Sequence, residues 1–70
     1  MELYDRQKES MALSTMRLML QKYSEKMNIS FDDAFYKFTR SRVYEALFDY
    51  ETEIWKEGPD YLMALFEEDE

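Results

Sequence analysis

From Tyr4 to Met27 the chain carries neither Gly nor Pro, and Ala12, Met16, Met19, Leu20, Tyr23 and Met27 recur at the 4-3-1-3-4 spacing of one helical face. This spacing predicts a long amphipathic helix. Lys22 and Lys26 lie near its carboxy-terminal end, where positive charge favours the helix dipole. A second set, Tyr4, Met11 and Leu18, repeats every seven residues and lies well off the first face. That stripe has no evident intrachain use and is a candidate partner surface.

Asn28-Ile29-Ser30 interrupts the pattern, and Ser30 followed three residues later by Asp33 has the form of a capping box, with Asp where Glu or Gln is usual. Phe31, Ala34, Phe35 and Phe38 then share one face of a second, shorter helix, from which Tyr36 points away. Ser41 is a candidate second cap, with a brief turn or kink from Thr39 to Ser41. Beyond it Val43, Tyr44, Leu47, Phe48 and Tyr50 form a third apolar face. The segment DYETEIWKEGPDYL, Asp49 to Leu62, concentrates the only Trp, Gly and Pro of the chain. Pro is tolerated at a first helical position because its missing N–H would lack a partner there, and Gly58 suits the cap before it. With Asp60 in the first turn, where negative charge is favoured, Gly58-Pro59-Asp60 marks the start of a fourth helix. Tyr61, Leu62, Leu65 and Phe66 supply its apolar face, and Met63 is expected to point away. The pattern predicts one all-α domain over residues 1–70, a small bundle of three to four helices. Its first residues and the acidic tail 67–70 are expected to fray, the tail because the helix dipole opposes its four acids.

Composition narrows how such a bundle is held together. Seventy residues give a small core, with no Cys for a disulfide and neither Cys nor His for a structural zinc site. Five Phe, six Tyr and one Trp offer the compensating bulk, so a dense aromatic core is expected, with Ile54 and Trp55 anchoring the connection before the last helix. The early apolar run MALSTMRLML is broken by Ser14, Thr15 and Arg17 and has no cleavage site after it, so no secretory signal is read there. No window approaches the roughly 18 apolar residues of a membrane span. With no lipidation motif either, the expected location is the cytoplasm.

Charge divides the chain. Residues 1–42 carry eight Lys/Arg against six Asp/Glu, whereas residues 43–70 carry one Lys against ten Asp/Glu. The carboxy half is therefore net −9, which repels phosphate and attracts basic surfaces. Glu67, Glu68 and Asp69 are candidate contacts for a basic protein partner. The short run Lys37, Arg40 and Arg42, beside Tyr36 and Tyr44, has the residue types for phosphate contact and base stacking. Three cations against an overall charge of −7 release few counterions, so no nucleic-acid binding is expected and the run reads as a solvated helix end that pairs with the acidic half.

The same residue types limit catalysis. Without His or Cys the commonest general base and nucleophile pairings are missing, and a carboxylate pair would need a water-excluding cleft that so short a chain seldom builds. Neither catalytic residues nor a cofactor are expected. Asp49, Glu51 and Glu53 match the first, third and fifth positions of a calcium loop, but the sixth is Ile54 where the turn requires Gly, and Asp60 falls at the twelfth, where a bidentate Glu is usual. No metal site is expected either.

The stretch Tyr44–Glu68, YEALFDYETEIWKEGPDYLMALFEE, preceded by NISFDDAFYKF, resembles a group of small uncharacterised bacterial proteins of about this length. In them a helix, an N-[IL]-[ST] cap, an aromatic-rich helix and a W-x-x-[GS]-P-x-Y turn before a last helix follow in the same order. That group is similar to small partners encoded beside ADP-ribosyltransferase-like toxins. The resemblance implies a shared fold and an antitoxin-like or regulatory role, and carries over no catalytic residue. The leading expectation is therefore a non-enzymatic protein–protein interaction module. An acidic nucleic-acid mimic, and a homodimer whose output is assembly alone, are the alternatives.

Overall fold

The computed structural model describes residues 5–69, and they form an all-α bundle. Helix α1 spans Asp5–Met27, α2 Phe31–Thr39, α3 Arg42–Leu47 and α4 Pro59–Asp69; two single 3₁₀ turns, Tyr50–Thr52 and Ile54–Lys56, link α3 to α4. The bundle is a rod of 41 × 18 × 18 Å, its length close to the ~35 Å rise of a helix as long as α1. That helix is the spine, and α2, the second 3₁₀ turn and α4 all pack along it.

Each reversal of the chain has a local cause. At the end of α1 the Ile29 amide donates to the Ser24 carbonyl at 3.0 Å and the Asn28 amide to the Glu25 carbonyl at 3.3 Å, the paired bonds of a Schellman motif. Asn28 takes the left-handed conformation this requires, with φ 57°. The Ser30 hydroxyl then accepts from the Asp33 amide at 3.1 Å, starting α2, and the Ser41 hydroxyl accepts from the Tyr44 amide at 3.3 Å, starting α3. Both serines thus cap as their positions predict, each satisfying one of the orphan amides of a helix start. Helix α4 begins at Pro59, and the Gly58 carbonyl accepts from the Leu62 amide at 3.3 Å.

The core is one cluster: Ala12, Met16, Met19, Leu20 and Tyr23 of α1, Ala34 and Phe38 of α2, Val43 and Leu47 of α3, Trp55, and Leu62 and Phe66 of α4. At its centre the Phe66 ring lies 4.8 Å from Tyr23 and 5.1 Å from Phe38, the latter edge-on, as the ring quadrupoles favour. The connection before α4 is tied down twice. Trp55 is 6% exposed and its indole N–H donates to the Tyr50 carbonyl at 3.0 Å. Thr52 bonds back to α3, its hydroxyl 2.7 Å from the Ala46 carbonyl. Among the described residues no buried side-chain polar atom is left without a partner.

Several positions depart from the sequence pattern. Met27 shares the spacing of the core face yet is exposed, because the chain turns away at Asn28 immediately after it. Phe31 and Phe35 are exposed while Ala34 and Phe38 carry the contact of α2 with the core. On α4 Met63 is half-buried against the core and Tyr61 is exposed, the reverse of the expected pair. At about 100° per residue, Met63 and Leu65 lie roughly 80° to either side of the Leu62–Phe66 line, and Tyr61 lies beyond Leu65. Helix α4 lies against both α1 and α3, so it needs flanking apolar residues on both sides.

Candidate interaction surfaces

The predicted stripe on α1 is only partly within view: Tyr4 lies outside the described residues, whereas Met11 is 43% and Leu18 50% exposed. Both project roughly 120–150° from the midline of the buried face, so the bundle does not cover them. The acids Glu67, Glu68 and Asp69 lie at the far end of α4, beside the carboxy-terminal part of α1, as the 2.9 Å ion pair of Lys26 with Glu67 shows. The two predicted groups therefore form separate surfaces.

Charge opposing the dipole predicts fraying in the last turn of α4, yet the helix runs on to Asp69. Two of its acids have specific partners. Glu67 takes both carboxylate oxygens to Lys26, at 2.9 and 3.0 Å, and an Asp69 oxygen accepts from the Arg42 amide at 3.1 Å. That second bond satisfies an orphan amide at the start of α3 with a negative charge, where the dipole of α3 favours it. At the other end of α4, Asp60 pairs with Lys22 at 2.8 Å. Lys22 and Lys26 thus serve as the docking cations for α4, besides standing near the end of their own helix.

Glu68 has no partner of this kind among the described residues. It stands on the rim of an open groove of about 310 Å³ between α3, the second 3₁₀ turn and α4, lined by Arg42, Val43, Ala46, Ile54, Leu65, Glu68 and Asp69. Its floor is aliphatic, and two acids and Arg42 border it.

A second groove, of about 330 Å³, runs between α1 and α2 and is lined by Leu13, Met16, Arg17, Phe31, Asp32 and Phe35. Leu13, Phe31 and Phe35 are each about two-fifths exposed, at 40%, 42% and 41%. Sequence periodicity does not reveal this groove: it assigns both Phe residues to the core and leaves Leu13 outside either stripe of α1. The available signal was the width of the apolar face of α2, four residues on a nine-residue helix.

Two cations of the basic run have partners within the chain. Arg40 stacks on the Tyr36 ring and donates to its hydroxyl, and Lys37 donates to the Tyr23 hydroxyl at 3.3 Å. Arg42 meets the acidic half through its backbone N–H, which donates to Asp69, and not through its guanidinium. Trp55 has Lys8 and Lys56 within 5.9 Å and 5.8 Å of its ring. Among the described residues no three Asp or Glu side chains come together as a metal-binding group, and no helix is long and apolar enough to cross a membrane.

Fold and surface together define a small all-α bundle with one apolar groove between α3, the second 3₁₀ turn and α4 and another between α1 and α2. No protein-family model matches the chain, and neither a curated protein nor a solved structure matches it.

Proposed function

We propose that the chain is a small non-enzymatic interaction module that binds a basic protein in the cytoplasm, as an antitoxin-like or regulatory partner. The observation that carries this reading is the placement of Glu68 and Asp69 on the rim of the aliphatic groove floored by Val43, Ala46, Ile54 and Leu65. An apolar floor whose border carries two acids against one cation, Arg42, suits a partner segment that alternates apolar anchors with Lys or Arg. The charge of the carboxy half, net −9, would steer such a partner toward this end of the rod. The toxin-partner assignment rests on the resemblance of the Asn28–Phe38 and Tyr44–Glu68 motifs. Met11 and Leu18, with Tyr4, are offered as a separate contact surface on the back of α1.

Co-purification from native cells, with the bound protein identified by mass spectrometry, tests the partner class. A basic toxin-like protein supports the reading, and a polymerase or nuclease would favour nucleic-acid mimicry instead. Glu68→Lys then tests the site, because among the described residues the Glu68 side chain has no ion pair or hydrogen bond to lose: association should slow, more strongly at low salt than at high salt. Unchanged association at low salt would remove the acidic groove from consideration.

A further inference from the structure

The groove between α1 and α2 lies on the other flank of the spine from the stripe of Met11 and Leu18, and it shares no residue with the groove that Glu68 and Asp69 border. Its apolar wall is formed by Leu13 and Met16 from α1 and by Phe31 and Phe35 from α2. Each helix also contributes one charge, Arg17 from α1 and Asp32 from α2. Neither charged side chain makes an ion pair or hydrogen bond with another described residue. The patch is thus locally neutral on a chain of net charge −7, which makes it a place where two copies can meet without adding to their mutual repulsion.

We propose that this groove is the contact face of a symmetric dimer and that its occupant is a second copy of the chain. A twofold axis running along the groove lays each copy's α1 over the other copy's α2. Phe31 and Phe35 then enter the space beside Leu13 and Met16 of the partner subunit, and Arg17 faces Asp32 of the partner subunit, twice by symmetry. Self-complementarity of this kind, with opposite charges on opposite walls, is what an isologous interface requires.

Sedimentation of the full chain from roughly 10 µM to 1 mM should show the mass rising toward that of two copies. Arg17→Asp alone, and Asp32→Arg alone, should each weaken dimerisation by ~10-fold or more, because each places like charges opposite one another at two positions. Combining them restores opposite charges, and the dissociation constant should return to within about threefold of wild type. Glu68→Lys, on the other groove, should leave the dimer untouched, which separates this proposal from the binding of a basic partner. A monomer throughout the range overturns the proposal. So does a dimer indifferent to Arg17→Asp, or a double variant that recovers nothing while both single variants stay folded by circular dichroism. Asp32 lies in the first turn of α2, where reversing its charge opposes the dipole. Should Asp32→Arg lose its helical signal, Phe35→Glu decides instead: loss of the dimer in a folded chain upholds the site, and persistence overturns it.

Discussion

The indole of Trp55 fills the space between the spine and the linker before α4 while its N–H holds the Tyr50 carbonyl at 3.0 Å, so ring and N–H can be removed separately. Trp55→Ala removes both and should cost about 3–5 kcal/mol, a large share of the stability of so small a domain. Trp55→Phe keeps most of the packing and loses the indole bond, while the Tyr50 carbonyl still accepts from the Glu53 amide at 3.4 Å, so it should cost about 0.5–1.5 kcal/mol. Urea titration followed by circular dichroism measures both, and an Ala variant as stable as wild type would show that Trp55 anchors nothing. The role of Trp55 was legible in the sequence because a lone indole in an otherwise polar connection has few places to go except inward. The exposure of Met27, Phe31 and Phe35 was not legible. Periodicity groups residues on a face but does not say how far the neighbouring helix extends over it, and for these three the cover runs short.

Individual helices owe their limits to short polar side chains. Helix α3 has only six residues, too few to persist by its own propensity, so its start depends on the Ser41 hydroxyl and the Asp69 carboxylate meeting the amides of Tyr44 and Arg42. Ser41→Ala and Ser30→Ala should each lower stability by about 0.5–2 kcal/mol, as the loss of an N-cap does. Asp69→Ala should cost roughly 0.3–1 kcal/mol, since its contribution is that of an exposed charge near a dipole. Thermal melts of the three variants would rank them, and a stable Ser41→Ala chain would mean that the Asp69 carboxylate and the buried Val43 and Leu47 suffice to hold α3. Both caps and the Gly58-Pro59 start were readable from sequence, because capping chemistry is local. The partnership of Asp69 with α3 joins residues far apart in the chain, and no periodicity reports it.

At the scale of the molecule, the back of α1 is open and the front is closed. Met11→Glu combined with Leu18→Glu should therefore leave the far-UV circular dichroism spectrum and melting midpoint close to wild type; an unfolded double variant would mean that the stripe is core. Millimolar calcium should leave the melting midpoint unchanged, because a bound ligand would raise it by mass action and the Asp49–Asp60 segment forms 3₁₀ turns instead of a calcium loop. An upward shift would revive the metal reading. The ring cluster of Tyr23, Phe38 and Phe66 bears on how the chain is made. Synthesis on the ribosome delivers α1, α2 and α3 before α4, and Phe66 emerges after every other residue of the core. Until then Tyr23 and Phe38 lack the ring that separates them from water. The nascent chain consequently presents a long, half-open apolar helix to its surroundings until α4 has followed it out.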